Sequence, residues 1–329
     1  MSAAELQIAV RVNCKVEDVR DALWKDRTLV KTWLMRGTLH LASSDDLPLY
    51  VGAMRALWKS QMRQSWLNYM QTTESEFWQI VDQVGAALDS EPTTREELIA
   101  VVGKGKSDHI RQMLRSGWGG MLKPAARSGF LCFGPNLGQS VTFVRPDRWL
   151  RSWRHVDEQE ALVVMARRYL GAYGPATKTD FARWWGTWPG VGNAAWSALK
   201  DELVTVSVEG DNLQLLARDE AELRAAPIDE QVQLIPGFDP YILGHASRDH
   251  LFDKRFASRV SRIAGWISAC VLVEGEVVGT WTHALKNGTL QVTVSPFRRL
   301  ARTVSARVKQ RTKEIGEALS TDRVEVKFL

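Results

Sequence analysis

Apolar positions along the chain follow two periods. In KVEDVRDALWKDRTL (15–29), Val16, Val19, Leu23 and Trp24 recur at three- and four-residue spacing, which predicts an amphipathic helix. In TWLMRGTLHLASSDD (32–46) the spacing falls to two. Read as one extended strand, Trp33, Met35, Leu39 and Leu41 share a packed face, and Arg36, Thr38 and His40 line the other. Helical spacing returns at 74–88 and 159–173. It returns again at 107–129, with a break expected near Gly119–Gly120, and at 192–203. Two hairpins follow. FLCF and SVTFV flank the turn GPNLGQ, and LVTVSV and LQLL flank EGDN.

These elements belong to an internal repeat. PTTREELIAVVG (92–103) and GPATKTDFARWWG (174–186) share P-x-T-x-x-[DE]-[LF]-x-x-x-x-G, pairing Pro92 with Pro175, Thr94 with Thr177, Glu97 with Asp180 and Gly103 with Gly186. The threonine can cap a helix, and the acid three residues on can reach back to the cap. The glycine then closes a helix of about two turns. Around each copy the order is helix, helix–turn–helix and hairpin, which is that of a winged helix. The 15–29 helix and the strands around Trp33–Ala42 occupy the positions that would end a third such block. Winged helices serve as nucleic-acid readers and also as protein-interaction modules.

From residue 232 the pattern changes. VQLIPGFDPYILGHASRDHLF begins as a strand and becomes a Pro/Gly/Asp-rich loop, in which Asp239, His245, Arg248, Asp249 and His250 crowd together. That loop can contact phosphate, or it can simply cap and bridge itself. Residues 265–297 read as a β-meander with turns at Glu274-Gly275 and Asn287-Gly288, and a basic helix (297–318) closes the chain. Trp281 and His283 share a strand face and read as packing and surface.

Composition narrows the class. A hydrophobic fraction of 45% supplies packed cores, and the net charge is +5. The distribution of charge says more than its total. Residues 104–128 carry Lys104, Lys106, Arg111, Arg115, Lys123 and Arg127 against Asp108 alone, and residues 298–313 carry seven Lys or Arg and no acid. Such clusters fit phosphate contact, or the solvated face of a helix. Three cysteines, Cys14, Cys132 and Cys270, lie far apart and read as packed thiols of a reducing cytoplasm. No secretory leader or membrane-length apolar run is evident. GKGKS (103–107) lacks the first glycine of a P-loop, no His/Cys spacing suits a metal, and no G-x-S-x-G elbow occurs. The fourteen tryptophans read mainly as core.

With these pieces placed, VKTWLMRGTLHL, GPATKTDFARWW, LIPGFDPYILGHASR and VLVEGEVVGTW resemble signature segments of a bacterial winged-helix DNA-binding family. Its members are related to the AlkZ/YcaQ interstrand-crosslink DNA glycosylases, and the similarity runs from about residue 5 to about 310. The resemblance implies an α+β fold: tandem winged-helix domains followed by a small C-terminal β-rich, barrel-like domain with a terminal helix. The divisions expected are 1–73 (a partial first winged helix), 74–157, 158–225 and 226–329. It further implies binding of double-stranded DNA and, for glycosylase members, removal of N7-alkylguanine.

In those members a Q-x-Q or Q-x-D motif precedes the VKTW-like segment. Here only Gln7 lies upstream of Val30, and QVQ (Gln231–Gln233) falls in the wrong domain. The expectation is a chain starting just after that motif, N-terminally truncated, with its catalytic residues unknown and Arg36, Thr38 and His40 lining the site. Expected DNA contacts are Lys104, Lys106, Arg111, Lys123, Arg127, Lys178, His245 and Arg248. No metal, cofactor or membrane is called for, and the protein is expected to be a cytoplasmic monomer. The competing reading is a transcriptional regulator that binds duplex DNA without catalysis.

Overall fold

A computed structural model describes residues 2–58, 64–227 and 231–329. The chain divides into two compact units. A helical unit comprises Asp21–Ala172 and Trp185–Asp201, and a sheet unit comprises Met1–Arg20, Tyr173–Trp184 and Glu202–Leu329.

The chain begins with α1 (Ala3–Val12), opened by a capping box between Ser2 and Glu5, and α2 (Val16–Trp24). The helix expected over 15–29 therefore stops at Trp24, and the backbone turns left-handed at Arg27. The strand expected next is in fact a hairpin. β1 (Leu29–Trp33) and β2 (Leu39–Ser43) pair antiparallel from Leu29↔Ser43 to Trp33↔Leu39. The reversal occurs because Arg36 and Gly37 both adopt left-handed backbone, with φ of 57° and 65°. Gly37 does so freely, whereas a side chain in this region costs about 1 kcal/mol or more. The expected packed face is corrected accordingly: Trp33 and Met35 are buried, but Leu39 is 48% exposed.

Two helices that the spacing did not single out follow, α3 (Leu47–Trp58) and α4 (Gln64–Met70). The first copy of the repeat comes next. α5 (Glu74–Ala87) is capped by Thr73, and β3 (Thr93–Thr94) leads into α6 (Arg95–Val102), opened by the Thr94–Glu97 box. α7 (Asp108–Arg115) and α8 (Leu122–Arg127) are separated at the expected break. β4 (Cys132–Leu137) and β5 (Ser140–Val144) form the hairpin, and β3 adds to it in the order β3-β5-β4. Trp33 packs its ring 4.7 Å from Phe133 and 6.2 Å from Phe143, joining a core that includes Phe77, Ile80, Leu98 and Ile110. A short α9 (Pro146–Trp149) and the long α10 (Glu158–Tyr173) follow.

α11 (Lys178–Trp185) carries the second capping motif, and α12 (Pro189–Ala198) returns to the helical unit. In the sheet unit, β6 (Leu203–Val208) and β7 (Asp211–Leu216) are joined at Glu209-Gly210, both with positive φ, as a tight hairpin turn requires. After α13 (Glu220–Ala225) come β8 (Val232–Ile235), α14 (Pro240–Leu243), α15 (Ala257–Val260), β9 (Ala269–Val273), β10 (Glu276–Lys286) and β11 (Thr289–Pro296). The basic helix is α16 (Arg302–Ala318), which buries Val308, Thr312 and Ile315. It does not close the chain as expected. β12 (Arg323–Phe328) follows and pairs parallel with β11, giving a five-stranded sheet in the order β12-β11-β10-β9-β8. The alternation in RVEVKF suits such an edge.

Trp281 fills the core of the sheet unit and donates its indole N–H to the Ile235 carbonyl at 3.0 Å. Cys132 and Cys270 are buried, and burial pushes both thiols up, Cys270 to about 12. Among the described residues no helix is long and apolar enough to cross a membrane.

Candidate functional site

The turn between β1 and β2 organises the site in the helical unit. Gly37 N–H donates to the Leu34 carbonyl at 3.0 Å and Leu34 N–H to the Thr38 carbonyl at 3.1 Å, fixing Arg36 at the apex. Glycine is needed on both sides of this arginine. A Cβ on Gly37 would lie 3.0 Å from Arg127 Nη2 and 3.8 Å from Lys123 Nζ. A Cβ on Gly186, whose φ is 87°, would lie 2.7 Å from the Arg36 Cα. The structure thus brings three of the expected residues together: Arg36 from the turn, and Lys123 and Arg127 from α8. Arg36 and Arg127 line an open pocket with Leu34, Met35, Met54 and Leu57, completed by Trp185 and Gly186.

Among the described residues, those that line this pocket include no acid. Burial pushes the Arg127 guanidinium down to about 10. Burial also lowers Lys123, with the Arg127 charge acting in the same direction. Neighbouring, partly desolvated cations make a local positive potential that an anion would relieve.

His40 stands beside this turn on β2. Its Nδ1 lies 2.9 Å from the Thr38 carbonyl, which makes Nδ1 the protonated nitrogen and leaves Nε2 as an acceptor. Desolvation pushes the imidazole down to about 4, and the Arg36 charge adds to the effect, so the ring is neutral at pH 7. Thr38 is exposed, and its hydroxyl donates to the Met35 carbonyl at 3.2 Å.

The remaining expected contacts are dispersed. Lys104 is exposed between α6 and α7. Lys106 is largely covered and sits 3.7 Å from Glu76, and Arg111 donates to the Lys106 carbonyl and to Asp108. In the sheet unit, Lys178 is exposed on the first turn of α11. The 239–250 loop is tied internally. Fully buried Asp239 caps α14 through Tyr241 N–H at 3.0 Å and accepts from Arg11 at 2.8 Å. His245 Nε2 lies 3.3 Å from the Pro175 carbonyl, its ring 4.9 Å from that of His250, and Arg248 donates to the Ser261 hydroxyl. Gln233 on β8 donates its amide to Gln231, just before the strand, at 2.7 Å, a local pairing of polar side chains.

Sequence reasoning missed Met54 and Leu57, because the pattern of α3 carries no sign of a pocket. Gly186 was visible as the repeat's closing glycine, but its packing on Arg36 was not.

Comparison with known proteins extends the resemblance. The family described as DNA glycosylase AlkZ-like matches residues 1–319. An interstrand DNA cross-link repair glycosylase of Streptomyces sahachiroi is 33% identical over 335 aligned positions, spanning 100% of this chain and 89% of that protein. The solved structure of the Streptomyces sahachiroi DNA glycosylase AlkZ superimposes with a TM-score of 0.88 at 32% identity, covering 99% of this chain and 89% of that one. With a family match over nearly its whole length and a relative of this identity, the chain belongs to the DNA glycosylase AlkZ-like family.

Proposed function

We propose that the protein binds double-stranded DNA and takes part in repair by hydrolysing the N-glycosidic bond of N7-alkylated guanine. Membership of the AlkZ-like family carries this reading, and the pocket that Arg36 and Arg127 line supports it. The relative from Streptomyces sahachiroi is described as an interstrand cross-link repair glycosylase, which favours repair over transcriptional regulation.

In this reading the helices α5 to α8 with the β3-β5-β4 sheet act as a winged helix, within the tandem arrangement and divisions set out above. Arg36, Lys123 and Arg127 hold backbone phosphate, and exposed Lys104 and Lys178 add long-range attraction. Lys106 and Arg111 act indirectly, by fixing the start of α7. His245 and Arg248 contact DNA from the sheet unit.

The chemistry asks little acid catalysis of the protein. N7 alkylation makes the base a cationic leaving group, so no proton need be delivered to it. What remains is to place a water and to stabilise positive charge developing on the sugar. His40, neutral and protonated on Nδ1, cannot serve as a general acid at pH 7, and its Nε2 can accept from a water. No catalytic glutamine pair is assigned.

Two measurements test the reading. Affinity for a short duplex should fall steeply with salt, and affinity equal at low and high salt would remove the phosphate assignment. Duplex carrying N7-methylguanine should yield abasic sites on incubation with the protein. Salt-dependent binding without abasic product would leave DNA binding standing and remove the glycosylase activity.

A further inference from the structure

Among the described residues Trp118 is the most exposed tryptophan, 86% accessible, whereas Trp33 below it is 3% accessible. Its exposure is built in by the backbone on either side. Gly119 N–H donates to the Ser116 carbonyl at 2.9 Å, closing a turn with Trp118 at its third position. Gly119 has φ of 84°, and a Cβ there would lie 2.7 Å from the Trp33 ring. A Cβ on Gly120 would lie 2.3 Å from the Met113 carbonyl. Arg95 donates to the Ser116 carbonyl at 3.0 Å, and Leu122 and Lys123 N–H groups donate to the Gly119 carbonyl at 2.8 Å each. The turn is therefore pinned to α7, α8 and β1, and it holds a large flat indole in solvent.

A single exposed apolar side chain is ordinary. The segments beside this one carry basic residues. The Cβ position of Gly119 is 3.0 Å from the Lys123 side chain, which in turn reaches Gly37 beside Arg127. Arg115, one turn earlier on α7, is about half exposed and forms a long ion pair, 3.9 Å, with the still more exposed Glu96. An exposed indole on a fixed backbone turn, with Lys123 and Arg115 on neighbouring segments, matches a nucleotide, whose base offers a π-face and whose phosphate offers charge.

We propose that the 116–121 turn is a base-stacking element, in which Trp118 stacks on a base at an opened or distorted step of duplex DNA while Lys123, Arg36 and Arg127 hold the adjacent phosphate. The inference rests on the DNA-binding reading above and names the element that distinguishes distorted from intact duplex. Stacking tolerates any base, so the discrimination is for helix distortion and not for sequence.

The test uses the full chain and two fluorescein-labelled duplexes, one intact and one with a tetrahydrofuran abasic analogue beside 2-aminopurine. Anisotropy should show Trp118→Ala binding the distorted duplex about 10-fold more weakly than the unsubstituted protein. The intact duplex should change less than about 2-fold, and Trp118→Phe should retain most of the affinity. The 2-aminopurine emission should be quenched by the unsubstituted protein and recover with Trp118→Ala. Equal affinity of the two proteins for the distorted duplex, with unchanged emission, would overturn stacking while leaving DNA binding intact. Failure of the unsubstituted protein to bind either duplex would overturn both readings. A self-association lost in Trp118→Ala without change in DNA affinity would assign the indole to a second copy of the chain and overturn the proposal.

Discussion

The two copies of the capping motif agree in local structure and differ in what lies beyond it. In each, the threonine hydroxyl accepts from the backbone of the acid, and the acid accepts from the threonine N–H at 2.8 Å. At Thr94–Glu97 the arrangement ends there, exposed to water. At Thr177–Asp180 the carboxylate is 8% accessible, and its second oxygen accepts from Ala246 N–H at 2.8 Å. One copy starts a helix; the other also anchors the 239–250 loop. The closing glycines diverge in the same way. Gly103 has ordinary backbone angles and packs against its own helix, at Ile99, whereas Gly186 is left-handed and abuts Arg36. A shared spelling fixes the local bond, and the tertiary neighbour decides what more it does.

Asp180→Ala should separate the copies most. It strips partners from Thr177 and from half-buried Ala246 N–H, and the unmet donors should cost about 3 kcal/mol. A lowered urea midpoint and faster hydrogen exchange at Ala246 are expected. Thr94→Ala, removing the exposed cap, should cost about 1 kcal/mol and leave that exchange unchanged. Between them comes Gly186→Ala, at about 2 kcal/mol, since it meets both a left-handed φ and the Arg36 backbone. It should also weaken duplex binding if Arg36 holds phosphate. Equal losses from Asp180→Ala and Thr94→Ala in urea titrations would erase the distinction between the copies.

What the sequence made legible follows the same division. Capping pairs and two-residue turns are local, so Thr94–Glu97, Thr177–Asp180, Glu209-Gly210, Glu274-Gly275 and Asn287-Gly288 all adopt the expected conformations. The pocket is not local. Arg36 was visible only as one polar position in a supposed strand, because alternation cannot reveal a left-handed residue that reverses the chain. Its neighbours Met54, Arg127 and Gly186 come from three other segments, and helical spacing explains each of them without a pocket. β12 was missed although RVEVKF alternates, because its partner β11 lies across the whole of α16. The family resemblance supplied what periodicity could not.

The smallest expected effect is also the most direct report on the second glycine. His40 is held near 4 mainly by desolvation, with a lesser push from Arg36. Its pKa in the folded chain is therefore below the ordinary value of 6.5. Between those values the unfolded chain binds the extra proton, so His40 contributes stability above pH 6.5 that is lost as pH falls toward 4. Gly186→Ala displaces Arg36 and should raise the His40 midpoint by a fraction of a unit, since burial of the ring persists. Gly103→Ala, which touches α6 and Arg111 instead, should leave it in place. Following the imidazole resonances by NMR from pH 7.5 to 3.5 in the three proteins compares them directly, and a His40 midpoint that moves equally in both variants would detach Gly186 from Arg36.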